Sequence, residues 1–179
     1  GAKRYSVETQ DAVGILDNNQ FTGGIYNAAP VSDILSSIMA GEGITYFLDD
    51  VYAGTTVSGY LPICTKRVAL QQLAFAIGAL VDTSYDRQLY IYPQQTEVTG
   101  EFTARDIRLS LSVEHSDIIT GIRLYAHSYD RGVESAQLYK GILAGTTKIE
   151  FSEPYHSLSI TGGTLGDHDA NYAYITGTG

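Results

Sequence analysis

The sequence predicts an α+β fold in which a helix-and-sheet part precedes an all-β part. Both clear helix patterns lie within the first 93 residues, whereas the chain after Pro93 alternates between apolar and polar residues with a period of two. The 14 Tyr, 19 Gly and absence of Trp are typical of twisted sheets with many turns. We predict an α+β module at residues 1–93 and an antiparallel β module, a sandwich or half-barrel, at 94–179.

The first helix is predicted to begin near Pro30, which is tolerated in a first helical turn, and to end at Gly41 and Gly43. Its apolar residues recur at helical spacing and form one face: Val31, Ile34, Leu35, Ile38 and Met39. A strand is predicted directly after it, at residues 44–48.

The second helix has Thr65 as its predicted N-cap and ends near Gly78. Its apolar residues are predicted to be buried: Ala69, Leu70, Leu73, Ala74, Ile77 and Leu80. A hairpin follows, with strands at 80–83 and 88–92 around a turn at 85–87.

The two helices belong to helix–glycine–strand units that match at an offset of 35 residues. The matched pairs are Leu35 with Leu70, Ile38 with Leu73, Gly43 with Gly78, and Tyr46 with Val81. Two copies are too few for a solenoid. We therefore expect both helices to pack on one face of a small mixed sheet.

The β module is predicted from short alternating segments separated by turns at Gly132, Gly145 and Gly162-Gly163. The segments are 107–113, 122–126, 136–139, 148–151, 157–160 and 172–176. The last of them runs almost into the C-terminus, so we expect the natural chain to continue.

Charge and hydropathy disfavour several classes of partner. A formal charge of −9 with only 11 Lys and Arg argues against nucleic acid and against anionic membrane surfaces. The longest apolar helix pattern, about fourteen residues from Val68 to Val81, is shorter than the roughly twenty needed to span a bilayer.

Cys64, the single cysteine, lies just before the second helix with Lys66 and Arg67 nearby, where a thiol pKa can be lowered. No Cys-protease context accompanies it, so a structural packing residue is the favoured interpretation. The four histidines lack zinc-site spacing: His115, His127, His156 and His168.

Residues 167–171 read D-x-D-x-N, the first half of a calcium loop, but Tyr172 and Thr178 occupy the positions that need Gly and Glu. An acidic turn is therefore favoured, and Gly23-Gly24 likewise indicates a turn or bulge.

The carboxylates considered for glycoside hydrolysis are Asp49, Asp50, Glu114, Asp117 and Glu153. The tyrosines considered for sugar stacking are Tyr125, Tyr129, Tyr139, Tyr155, Tyr172 and Tyr174. Solvated carboxylates and strand-forming tyrosines are the simpler interpretation, so we predict no catalytic, cofactor or metal residue and no enzyme.

Seven runs of the chain share a pattern of apolar and glycine residues: 11–14, 21–26, 59–65, 67–72, 75–79, 151–155 and 171–173. These runs resemble minor structural proteins of phage and prophage tails in gut Firmicutes. The resemblance rests on apolar and glycine patterns and implies a tail-tip or baseplate-hub protein, which scaffolds other tail proteins, commonly as a homo-oligomer, in the virion tail. No functional residue carries over from it.

The residues are also compatible with a carbohydrate- or cell-surface-binding β domain, using tyrosines and the 167–171 turn as a glycan or cation site. The first hypothesis remains a structural module that acts through protein–protein contacts.

Overall fold

The computed structural model of the protein describes residues 11–83, 88–97, 100, 121, 123, 125 and 132–177. Within these residues the helices all precede residue 94: α1 (Ala12–Ile15), α2 (Val31–Met39) and α3 (Lys66–Ile77), with 3-10 turns at Leu16–Asn18 and Asp50–Tyr52. Its strands are β1 (Gln20–Phe21), β2 (Gly24–Pro30), β3 (Thr45–Leu48), β4 (Thr56–Leu61), β5 (Cys64–Thr65), β6 (Ala79–Asp82), β7 (Gln88–Pro93), β8 (Thr146–Glu150), β9 (Gly163–Asp169) and β10 (Tyr172–Gly177). The predicted α+β class is confirmed.

Helix α2 forms as its apolar spacing predicts. Pro30 precedes it as the N-cap, and all five predicted core residues are buried. The chain leaves the helix through Gly41 and Gly43, whose φ angles of 79° and 65° lie in the left-handed region that favours glycine.

Helix α3 begins and ends at the predicted caps. The Thr65 hydroxyl accepts a hydrogen bond from the Val68 amide at 3.3 Å, and Gly78 ends the helix with φ 66°. The prediction that Leu80 is buried is wrong. Leu80 lies on β6, where alternation directs its neighbours Ala79 and Val81 to the core and leaves Leu80 44% exposed.

The strands that follow the two helices, β3 and β6, belong to one mixed sheet, in the order β3-β7-β6. Strand β3 is parallel and β6 antiparallel to β7. One face of the sheet supplies Leu89 and Ile91 to the buried cluster that also contains the apolar faces of α2 and α3. The predicted packing of both helices on one face of a mixed sheet is therefore confirmed.

The remaining N-terminal strands form two antiparallel pairs that the sequence did not indicate, β1 with β5 and β2 with β4. Gly23 and Gly24 precede and start β2 with φ 67° and 151°, in agreement with the turn interpretation. A register shift between Tyr26 and Ala29 makes a bulge, where Ala28 has φ 49° and its amide bonds the Ser58 hydroxyl at 2.9 Å.

The described strands of the C-terminal part form one antiparallel sheet, ordered β8-β10-β9. The predicted strands at 148–151 and 172–176 are confirmed as β8 and β10, whereas the strands predicted at 136–139 and 157–160 are wrong. Ser157 has φ 57°, which breaks an extended run, and no described strand pairs with 136–139.

Strand β9 is not among the predicted strands, because the sequence indicates turns at its two ends, Gly163 and residues 167–169. The turn at 85–87, the segment 107–113 and most of 122–126 lie outside the described residues, so the sandwich or half-barrel stays a prediction. None of the described helices has the length and apolar character that crossing a membrane requires.

Candidate interaction surfaces

Cys64 is a half-buried member of the short β1–β5 pair, where it lies opposite Phe21. It packs against the core cluster, and this burial raises the pKa of its thiol. A raised pKa lowers the thiolate fraction at neutral pH, which is the opposite of what a nucleophile needs. The geometry therefore agrees with a packing residue.

In the sequence Lys66 suggested a lowered pKa for the Cys64 thiol, but in the structure it forms a buried ion pair with Glu42. Its ammonium nitrogen also donates to the carbonyl oxygen of Ala40 at 2.6 Å, and Asn19 donates to the second Glu42 oxygen at 2.8 Å. The hydrogen bond from Lys66 lowers the pKa of Glu42. This pair ties the start of α3 to the loop after α2. Nothing in the sequence pattern marked Glu42, which lies between two glycines.

The histidines that the structure describes contact backbone carbonyls. A ring nitrogen of His156 lies 3.1 Å from the Gly132 oxygen, and one of His168 lies 2.8 Å from the Gly166 oxygen. His115 and His127 lie outside the described residues. Among the described residues, no three His, Cys, Asp or Glu side chains converge as a metal site would require.

The described carboxylates considered for hydrolysis have local structural roles or are exposed. Asp49 caps the 3-10 turn Asp50–Tyr52 by accepting from the Val51 amide at 2.9 Å, and Glu153 is exposed on a loop. Glu114 and Asp117 lie outside the described residues. The structure thus does not pair the described members of this set.

The segment 167–171, which forms the end of β9 and the β9–β10 turn, has a role that the sequence did not indicate. Asn171 is 1% exposed, and its amide nitrogen donates to the carbonyl oxygens of Thr22 at 2.8 Å and Leu61 at 3.1 Å. Its amide oxygen accepts from the Tyr60 hydroxyl at 3.0 Å. These contacts, which we call the Asn171 junction, fix the β9–β10 turn to β4 and the start of β2. A side chain engaged in this way is unavailable as a cation ligand.

Gly23 is the residue that allows this close approach. A Cβ atom at position 23 would lie 2.8 Å from the amide nitrogen of Asn171 and closer still to the carbonyl oxygens of Leu61 and Pro62. The glycine pair was therefore a correct signal of backbone geometry, although no pattern in the chain indicated Asn171 as the partner.

The tyrosines on β10 do not form a flat platform. Tyr172 and Tyr174 meet edge to face at 5.9 Å, and the Lys148 ammonium lies 5.1 Å from the Tyr172 ring centre. The Tyr172 hydroxyl donates to Asp167 at 3.0 Å, and burial together with this bond raises its pKa.

The other candidate tyrosines are dispersed. Tyr155 packs edge-on against Phe151 at 5.7 Å, whereas Tyr125 and Tyr139 are exposed and Tyr129 lies outside the described residues. A sugar-stacking surface needs an open ring face, and the lysine occupies one face of Tyr172.

Two surfaces of the N-terminal module expose large apolar side chains. The first, the outer sheet face, is the side of β3-β7-β6 away from the helices: Phe47, Leu80, Tyr90 and Tyr92. Phe47 is 45% exposed, and its ring lies 6.0 Å from that of Tyr90.

The second surface, the α3 groove, is an open cleft of about 400 Å³ between β4 and the exposed side of α3. Its lining residues are Tyr26, Ile34, Val57, Ser58, Gly59, Tyr60, Leu61, Val68, Gln71, Gln72, Leu73, Phe75 and Ala76. Phe75, at its rim, is 77% exposed. The sequence signal for this surface was Gln71-Gln72 and Phe75 within an otherwise buried helix pattern.

No family model, curated protein or solved structure matches this chain.

Proposed function

We propose that this chain is a structural module of a phage-type tail or related apparatus, of tail-tip or baseplate-hub type, that acts through protein–protein contacts. Its partners would be other tail proteins and further copies of itself, and its location the virion tail. The resemblance of its apolar and glycine runs to phage tail proteins supports the apparatus, and the exposed surfaces support the mode of action.

The observation that carries the proposal is the exposure of Phe75. This phenylalanine lies on a helix whose other side packs into the core, and it borders an apolar groove. Exposed aromatic side chains beside apolar clefts are typical of protein interfaces, where a few well-buried side chains together carry most of the binding energy.

The location is tested by inducing prophage in the organism that encodes the chain and purifying the particles by density gradient. Peptides of this chain in the tail fraction, detected by mass spectrometry, would support the proposal. Their recovery only outside particles, together with neighbouring genes for polysaccharide use rather than tape-measure and tail proteins, would refute it.

The mode of action is tested on the purified chain by sedimentation velocity across a hundredfold range of concentration, alone and with the products of adjacent genes. We expect association that salt changes little, because the proposed surfaces are apolar rather than charged. Binding to a glycan array without binding to any protein would contradict a structural role.

A further inference from the structure

An amine, a carboxylate and a side-chain amide meet at the start of α3. The Lys66 ammonium nitrogen lies 2.5 Å from one carboxylate oxygen of Glu42, and the side-chain nitrogen of Asn19 lies 2.8 Å from the other. One carboxylate therefore bridges the two nitrogens. The side chains of Lys66 and Glu42 are only 11% and 4% exposed, so the charged pair is largely removed from water.

The backbone holds Asn19 opposite Lys66. Strands β1 and β5 are antiparallel, and Gln20 is paired with Thr65. One step further in this register, the Lys66 backbone amide donates to the carbonyl oxygen of Asn19 at 2.9 Å. Directly opposite residues of an antiparallel pair direct their side chains to the same face, with Cβ atoms about 5 Å apart. The lysine and asparagine side chains are therefore cross-strand neighbours.

Each of the three groups has the chemistry of one role in forming an amide. A neutral lysine amine is a nucleophile, the side-chain carbonyl carbon of asparagine is an electrophile, and a buried carboxylate transfers protons between them. The hydrogen bond from Lys66 to Glu42 gives the proton a direct path, and the Ala40 carbonyl oxygen, which accepts from the same nitrogen at 2.6 Å, holds the amine in place.

The ion pair is the resting form of this cluster, and the neutral pair, reached by moving one proton, is the reactive minor form. Attack also requires the amine and the carbonyl carbon to come within about 3.5 Å of each other. Asn19 is exposed, so its side chain has room to turn its carbonyl carbon toward the amine. Both requirements make the reaction slow rather than immediate.

We propose that Lys66 and Asn19 join in an intramolecular isopeptide bond, with Glu42 as the proton carrier. Glu42 takes a proton from the lysine ammonium, and the amine attacks the side-chain carbonyl carbon of Asn19. The carbon–nitrogen bond to lysine forms as the lysine nitrogen loses its second proton. The bond from the carbon to the asparagine nitrogen breaks, and this nitrogen leaves as ammonium after receiving both protons through Glu42. The step is an acyl transfer, so it needs no oxidant or reductant.

The bond would close a loop from residue 19 to residue 66 that contains α2 and strands β1 to β5. A covalent link of this kind restricts the unfolded chain and therefore stabilises the folded module. It goes beyond the proposed function and does not depend on it. The ion pair belongs to the chain before the bond forms, so its pH dependence is measured in the Asn19→Ala background, which keeps Lys66 and Glu42 but cannot form the link.

Intact-mass spectrometry of the purified chain tests the bond, because its formation removes one molecule of ammonia. After prolonged incubation at neutral pH, we expect wild type to weigh less than its sequence by that mass. Asn18→Ala, the matched control at the neighbouring exposed asparagine, should show the same loss. Asn19→Ala lacks the electrophile, and Lys66→Arg keeps the charge beside Glu42 without a nucleophilic amine, so both should keep the full mass of their own sequences.

Glu42→Gln removes the proton carrier and should slow the mass loss by about a hundredfold or more, with circular dichroism checking that the variant is folded. In the denatured wild-type chain, a glutamate-specific protease cuts after Glu42, between the linked residues. The fragments that contain residues 19 and 66 should nevertheless remain joined.

Wild type that keeps its full mass would overturn the proposal, and so would fragments that separate after cleavage at Glu42. A loss of ammonia that persists in Lys66→Arg would also overturn it, because a succinimide at an asparagine loses the same mass without involving the lysine. Each of these results would leave the proposed function standing, since that function is tested by the location of the chain in tail particles.

Discussion

Replacement of Asn171 by alanine should loosen the attachment of the C-terminal sheet to the N-terminal module. The substitution removes the three hydrogen bonds of the Asn171 junction, two to carbonyl oxygens and one from a tyrosine hydroxyl. Each is worth about 1 kcal/mol net. We therefore expect the free energy of unfolding to fall by about 3 kcal/mol.

Asn171→Asp is the sharper version of this test, because aspartate has nearly the same shape. It keeps the acceptor for Tyr60 but loses both donors and places a carboxylate against the oxygens of Thr22 and Leu61. At pH 7 this variant should be at least as unstable as Asn171→Ala. The unfavourable site raises the folded-state pKa of the new carboxyl, so its penalty should diminish as the pH falls and the group protonates.

The assay is urea unfolding followed by circular dichroism, with Asn27→Ala as the matched control. Asn27 is exposed on β2, so its loss should cost less than about 0.5 kcal/mol. A cost below about 0.5 kcal/mol for Asn171→Ala, or an aspartate variant more stable than the alanine variant at pH 7, would refute the account of the junction.

Three further predictions concern other positions. Gly23→Ala should lower the free energy of unfolding in urea by more than about 2 kcal/mol, because the new Cβ meets two carbonyl oxygens and the side-chain amide of Asn171. The control Gly54→Ala, with φ 79° and open surroundings, should lower it by about 1 kcal/mol. Equal losses would contradict this explanation. Glu42→Gln leaves the Lys66 ammonium without its carboxylate and should cost about 3 kcal/mol at pH 7. Because the folded-state pKa of Glu42 is lowered, this stabilisation is present above the ordinary carboxyl pKa and is lost as the pH falls through the lowered value. The stabilities of wild type and Glu42→Gln should therefore converge in acid. A stability difference that does not change with pH would argue against the ion pair. Iodoacetamide should alkylate Cys64 more slowly at pH 8 than in the urea-unfolded chain, because burial raises its thiol pKa, and equal rates would show that the thiol is not packed.

The local elements were predictable because their causes lie within a few residues. The apolar spacing of α2, the Thr65 cap of α3 and the glycine after each helix act through neighbouring backbone, and each was found where the pattern indicated. The matched units were predictable for the same reason, since each copy repeats one helix–glycine–strand rule.

Some errors came from applying a local rule where tertiary packing decides. Leu80 continues the helical spacing of α3, but the chain has already become a strand there, and alternation directs the side chain outward. Residues 136–139 have strand-like alternation, but a strand forms only where a neighbour supplies its hydrogen bonds.

The sequence by itself determined helices α2 and α3, their caps, the order of the two parts and the acidic, cysteine-poor character of the chain. Only the tertiary structure decided the Asn171 junction, the Lys66–Glu42 pair and the α3 groove. The Asn171 bonds span 110 residues or more and the ion pair spans 24, so no short-range pattern marks them. The groove exists because one side of α3 packs into the core beside β4 while Phe75 lies on the other side. Which residues line it depends on the packing of segments that are distant in the sequence.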